Sequence, residues 1–149
     1  MNIQERLIGA WKLESYTEYP VDGSDPIHPF GKTPEGYILY TPDGFMSAQL
    51  AKPNRELFAT GDWFAGSDEE YRAQGSSYIS YTGPYLIDEE TGALSHVVEV
   101  SLFANWQGQT QPRTMRFEDD YLILGNTSKY LSGGKHVNAE IRWKRACRV

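Results

Sequence analysis

The chain has 149 residues, a formal net charge of −6, 40% hydrophobic and 13% aromatic residues, and ten Tyr. That length suits a single domain spanning 1–149, and the aromatic content favours a packed, strand-rich globule over a disordered tail. Lys and Arg are scattered singly, so no basic stripe exists to neutralise a phosphate backbone, and nucleic acid is excluded as a partner.

The N-terminus, Met1-Asn-Ile-Gln-Glu-Arg-Leu-Ile-Gly9, is too polar for a secretory apolar core. No apolar run approaches the roughly 20 residues that span a bilayer, which predicts no membrane insertion and a cytoplasmic location. Cys147 is the sole cysteine, excluding an internal disulfide and fitting a reducing compartment.

The first strand is predicted over Gly9–Pro20, where Trp11, Leu13 and Ser15 alternate with Lys12, Glu14 and Tyr16, one face apolar and the other wet. Residues 21–35 hold Asp22-Gly23, Pro26, Pro29, Gly31 and Pro34, a density of turn formers that predicts an ordered loop able to cover a barrel mouth. Strands over 36–41 and 44–50 follow, joined by Pro42-Asp43-Gly44 as a hairpin turn. Ser67-Asp-Glu-Glu70 predicts a short helix over 67–75, with Ser67 as N-cap and acidic side chains at the positive end of the helix dipole. Further strands are predicted over 77–87, 93–103, 112–118, 121–125 and 136–143, with Asp88–Gly92, Asp119-Asp120 and Ser132–Gly134 as connectors.

About eight sequential strands with short connectors and one short helix predict an all-β, antiparallel up-and-down barrel, whose closure removes exposed edges and leaves room for one small ligand. A two-sheet sandwich is the alternative. It would require longer crossovers than this chain offers after residue 75.

Gly9-Ala10-Trp11, with Arg142 and Arg145 in and after the last strand, resembles the lipocalin pattern in which an Arg covers a Trp at the closed end of the barrel. Such a cation–π contact is worth about 0.5–2 kcal/mol. A broader likeness covers most of the chain. Gly36-Tyr-Ile-Leu-Tyr-Thr-Pro-Asp-Gly44, Met46-Ser-Ala-Gln-Leu50, Phe58-Ala-x-Gly-Asp62 and Glu99-x-Ser-Leu-Phe-x-Asn-Trp106 together resemble the bacterial and fungal lipocalin-like domain family. The resemblance implies a calycin-type barrel and, since some members accompany small-molecule biosynthetic genes, a small-molecule partner. It implies no particular reaction.

In Ser95–Phe103, period-2 alternation groups Ser95, Val97, Glu99, Ser101 and Phe103 on one face and His96, Val98, Val100 and Leu102 on the other. The first set is predicted to point inward, because the next strand offers Arg113, Met115 and Phe117 on one face and an inward Arg113 would neutralise an inward Glu99. Glu99 and Arg113 are thus the candidate catalytic pair, or else a structural ion pair. Candidate ligand contacts are Tyr37, Tyr40, Tyr81 and Tyr85, whose rings are apolar and whose hydroxyls bond ligand oxygens, together with Ser101, Phe103, Met115, Asn105 and Trp106. Tyr37 and Tyr40 have opposite parity, as do Tyr78 and Tyr81, so at most one of each pair enters the barrel.

His28, His96 and His136 show no metal-ligand spacing, and His96 is predicted to face outward. Nucleophile elbow, phosphate-cradling Gly loop and dinucleotide fingerprint are all missing, so neither metal nor cofactor is expected. Two functions remain in front: binding of a small hydrophobic molecule, and cofactor-independent isomerisation, cyclisation or dehydration of a polyketide- or terpenoid-like intermediate with Glu99 as proton shuttle and Arg113 or a Tyr stabilising oxyanion charge. A structural oligomer with a filled core is a third. A homodimer is compatible with each.

Overall fold

Turn chemistry and period-2 patterning set the strands of the computed structural model, which describes residues 1–148. These are β1 (Gly9–Pro20), β2 (Glu35–Tyr40), β3 (Phe45–Ala51), β4 (Tyr78–Ile87), β5 (Leu94–Val97), β6 (Val100–Ser101), β7 (Thr110–Glu118), β8 (Tyr121–Asn126), β9 (Tyr130–Ser132) and β10 (Lys135–Arg145). The described residues also form helices α1 (Ile3–Leu7) and α2 (Asp68–Ser76) and 3₁₀ turns at Trp63–Ala65 and Ala104–Trp106. Every pairing is antiparallel, and β1 pairs with both β2 and β10, closing an eight-stranded barrel. The predicted barrel is therefore observed and the sandwich is not. β5 and β6 together occupy one place beside β4, and the short β9, which the sequence did not signal, extends the edge of β10.

The predicted hairpin forms at 41–45, where Gly44 takes a φ of +97° and its N–H donates to the Thr41 carbonyl. α2 also forms as read, with a reciprocal cap between Ser67 and Glu70. α1 was not predicted. It starts with its own reciprocal cap, Asn2 with Glu5, and plugs the closed end of the barrel: Leu7 is fully buried, and Trp11 Nε1 donates to its carbonyl at 2.9 Å.

That closed end is locked by Arg145. Its guanidinium lies 3.7 Å from the Trp11 ring centre, while its amino groups donate to the carbonyls of Ile8, at 2.8 Å, and Arg6. Gly9 is required here twice over, by a φ of +120° and because a Cβ would stand 2.9 Å from the Arg145 guanidinium. Arg142 instead lies on the outside, over Tyr121 and beside Glu14 and Glu118.

Side chains fill the half of the barrel near this end. Tyr40, Met46, Leu94, Leu122 and Trp143 are all buried, and His96, expected to face out, is fully enclosed among Tyr40, Tyr81 and Tyr85. Its Nε2 shares a 2.7 Å hydrogen bond with the Tyr40 hydroxyl. Burial disfavours the imidazolium, and the charge of Arg113 opposes it further, so the His96 pKa is lowered to about 3.

Two one-residue bulges govern which side chains reach the other half. In β1 the register against β10 slips between Leu13 and Ser15, so Trp11 and Leu13 face inward before the slip, and Tyr16, Glu18 and Pro20 after it. Between β5 and β6, His96 stands opposite Tyr85 but Ser101 opposite Tyr81, five residues against four. The extra residue is accommodated at Gly83, where a Cβ would come 1.8 Å from the Val97 carbonyl oxygen.

Two outcomes follow. Gly83→Ala should destabilise the protein by at least about 2 kcal/mol in chemical denaturation, since backbone must move to admit the methyl; a change below about 0.5 kcal/mol would contradict this account of the bulge. Because the unfolded chain takes up the His96 proton first, near pH 6.5, unfolding free energy should fall with pH from there towards 3, by roughly 1 kcal/mol per unit. His96→Gln should flatten that slope in urea titrations at about pH 7, 6 and 5, and an unchanged slope would assign the effect elsewhere.

Candidate functional site

The open half of the barrel holds a cavity of about 690 Å³. Its apolar wall comes from Leu50, Ile79, Tyr81, Ala139 and Ile141, and its rim carries Phe30, Phe103 and Trp106. Trp106 stacks edge-on against Tyr81 and Phe103, with ring centres 5.6 Å apart in each pair. The loop over 21–35, read as able to cover the mouth, lies at the rim: Ile27 bridges to Glu18 through paired backbone hydrogen bonds of 2.8 Å, Phe30 meets the Tyr16 ring edge-on at 5.2 Å, and Pro29 and Phe30 line the cavity.

The polar groups of the cavity stand on different strands. From β7, Arg113 faces inward as expected and donates to Gln111 Oε1 at 2.7 Å. From β1, Glu18 is only 2% exposed yet has no cationic partner among the described residues. Hydroxyls hold it instead: Tyr130 donates to Oε2 at 2.5 Å and Ser132 to Oε1 at 2.6 Å. The Tyr16 hydroxyl lies 3.0 Å from that of Tyr130. Burial pushes the Tyr16 pKa up to about 12, and burial together with Tyr16 and Glu18 holds the Tyr130 hydroxyl protonated far above its ordinary range.

Glu99 departs from its expected place. It is exposed, outside the cavity, because the extra residue before β6 turns the alternation over at this position. Ser95 and Val97 likewise lie on the outer face, so the predicted inward set is right only for Ser101 and Phe103, beyond the bulge. An inward pair of Glu99 with Arg113 does not exist, and the buried carboxylate of the cavity is Glu18.

The remaining candidates divide by depth. Tyr81 lines the cavity and Tyr78 its edge, where it donates to Gln49. Tyr40 and Tyr85 face inward but belong to the filled half, with the Tyr85 hydroxyl donating to the Thr41 carbonyl at 2.6 Å. Met115 packs against the core below Arg113. Ser101 is half-buried opposite Tyr81, its Oγ accepting from the Phe103 N–H, and Asn105 is exposed in a single 3₁₀ turn at 104–106. Tyr37 faces out. It borders an external groove of about 820 Å³ between β1, β2 and residues 144–148, where Cys147 also lies. That groove carries charged side chains of the outer face, Lys12, Glu14 and Lys144 among them, with Tyr37 as its aromatic residue, whereas the interior cavity gathers several aromatic rings.

Sequence reasoning missed Glu18, Tyr16 and Tyr130. Strict alternation from Trp11 does place Glu18 on the wet face, and only the bulge brings it inside. Among the described residues no cluster of His, Cys, Asp and Glu is arranged to hold a metal ion, and no helix is long and apolar enough to cross a membrane.

Comparison with known proteins agrees with this geometry. Over 110 residues the chain is 26% identical to a protein of Aspergillus oryzae (strain ATCC 42149 / RIB 40) named 4'-hydroxy-3'-methoxypropiophenone carrier protein, a match covering 70% of this chain and 99% of that relative. Residues 8–146 match the family model described as lipocalin-like domain, which includes every barrel strand and every group that lines the cavity. The chain belongs to the lipocalin-like domain family.

Proposed function

We propose that the protein is a carrier that holds a small, mostly apolar aromatic molecule in the open half of its barrel. The observation that carries this reading is the cavity itself: about 690 Å³, with an apolar wall of Leu50, Ile79, Tyr81, Ala139 and Ile141 and with charged, amide and hydroxyl side chains set around it on separate strands. Ligand sites commonly have that size and composition. The Aspergillus relative, named as a carrier of an aromatic compound, supports the same class of cargo.

A second reading is a cofactor-independent isomerase, cyclase or lyase acting on a polyketide- or terpenoid-like intermediate. With Glu99 outside, the observation in its favour is Glu18, a buried carboxylate on the cavity wall at the end of a chain of hydroxyls, which is the setting a proton shuttle needs.

Native mass spectrometry before and after denaturing extraction should reveal a co-purified small molecule, and recovery of that molecule unchanged after incubation favours carriage over turnover. The neutral fluorescent probe N-phenyl-1-naphthylamine should bind with a Kd near or below about 10 μM, equivalent to about 7 kcal/mol. Ala139 lies on the inner face of β10 at the cavity wall, and Ala139→Trp should fill the space and weaken probe binding at least tenfold. Probe affinity that survives Ala139→Trp in a folded variant would move the binding site out of the barrel.

A further inference from the structure

Among the polar groups of the cavity, the hydrogen bonds of Tyr16, Tyr130, Glu18 and Ser132 fix the direction of donor and acceptor, and that restricts what this part of the cavity takes. Tyr130 has one hydroxyl proton and gives it to Glu18 Oε2 at 2.5 Å. The 3.0 Å contact between the Tyr16 and Tyr130 hydroxyls must then be donated by Tyr16. Tyr16, which lines the cavity, has no second proton to give, so its oxygen can act towards a guest as an acceptor only. Glu18 imposes that direction from two residues away through one intervening hydroxyl, and Ser132 occupies its other oxygen.

Arg113 is the converse. It lines the same cavity, accepts nothing, and spends one of its five N–H donors on Gln111 among the described residues. Tyr16 sits within electrostatic reach of both charges: burial is the main cause of its raised pKa, and beside it Glu18 raises the value and Arg113 lowers it. The two formal charges cancel over the cavity as a whole, so an anionic guest gains an attraction at Arg113 and meets a repulsion from Glu18, whereas a neutral guest meets only the directed hydrogen bonds.

We infer that the ligand is a neutral aromatic compound bearing both a hydroxyl, which donates to the Tyr16 oxygen, and a carbonyl, which accepts from the Arg113 guanidinium. This rests on the carrier reading above and names the class of its cargo. Tyr16 and Arg113 are then the specificity-determining contacts, and Glu18 acts through Tyr130 to hold Tyr16 in its accepting orientation. A site built to pair a ligand hydroxyl discriminates strongly against analogues that lack it, because its own polar groups are then left unpaired.

The test compares matched ligands by displacement of N-phenyl-1-naphthylamine: 6-acetyl-2-naphthol, its methyl ether, 2-naphthol, and the anion 6-hydroxy-2-naphthoate. The wild-type protein should bind 6-acetyl-2-naphthol at least tenfold more tightly than the ether, than 2-naphthol and than the naphthoate. Tyr16→Phe should bring the naphthol-to-ether ratio within about twofold, and Arg113→Met should do the same for 6-acetyl-2-naphthol against 2-naphthol. Each ratio is read within one variant, so a general loss of affinity cancels. Glu18→Gln supplies a second arm: the amide can hold Tyr130 in either direction, so the hydroxyl preference should fall there too although Tyr16 is intact. Equal affinity of the wild type for naphthol and ether, tighter binding of the naphthoate, or a preference that survives Tyr16→Phe would each overturn the inference while leaving the carrier reading standing. Failure of the fluorescent probe and all four ligands to bind would remove the carrier reading and this inference together.

Discussion

A closed barrel admits one face of each strand to its interior, and everything this protein does inside depends on where that rule is reset. An unbroken β1 would send Tyr16 and Glu18 into solvent and turn Ser15 inward. The added residue between Leu13 and Ser15 reverses the facing, so the same strand supplies an apolar base, Trp11 and Leu13, and a polar wall, Tyr16 and Glu18. On the opposite side of the barrel the bulge beyond Val97 makes the same exchange, giving buried His96 and Val98 before it and Ser101 and Phe103 after it. Bulges add twist and re-aim side chains at the cost of a ladder hydrogen bond. Here both resets fall where the packed half of the barrel gives way to the cavity.

This division also explains what the sequence reveals and what it conceals. Strand positions were legible because Pro, Gly and Asp punctuate them: the hairpin at Pro42-Asp43-Gly44 and the helix start at Ser67 both formed as read. Inward facing was legible wherever a strand stays regular. Arg113, Met115 and Phe117 on β7 alternate without interruption and point where parity says. At Glu99 parity fails, since the residue that breaks it is ordinary in type. Its signal is on the neighbouring strand, at Gly83, the one position whose missing side chain leaves space for the Val97 carbonyl. A glycine inside a strand pattern marks a close approach of backbone, but not which neighbour approaches or which residue is extra. His96 was misplaced by the same error, as a member of the set assigned to the outside.

The two halves of the barrel carry different kinds of polar group for different reasons. In the filled half, His96 Nε2 and the Tyr40 hydroxyl share a hydrogen bond in an environment that strongly disfavours charge, while His96 Nδ1 is buried without a partner among the described residues. In the open half, Glu18 and Arg113 are not paired with each other or with any other ionised side chain among the described residues. Keeping two unpaired charges near an apolar cavity is unfavourable for folding, where an apolar replacement of similar shape would commonly be neutral or stabilising. Their presence is easier to reconcile with recognition than with stability, and the hydroxyls of Tyr130 and Ser132 hold Glu18 in place without neutralising it.

The loop at the rim is tied to the same residue. Glu18 uses its backbone N–H and carbonyl to fix Ile27, and its side chain to orient Tyr130, while its neighbour on the inner face, Tyr16, supports Phe30. One stretch of β1 after the bulge therefore positions the rim loop from its backbone and the polar wall from its side chains. A ligand that engages Tyr16 contacts the ring on which Phe30 rests, so the geometry of the mouth and the hydrogen-bonding direction of the interior are coupled through three residues rather than through the barrel as a whole. The register slip in β1 sets both, which makes the placement of Tyr16, and not the volume of the cavity, the feature on which selectivity turns.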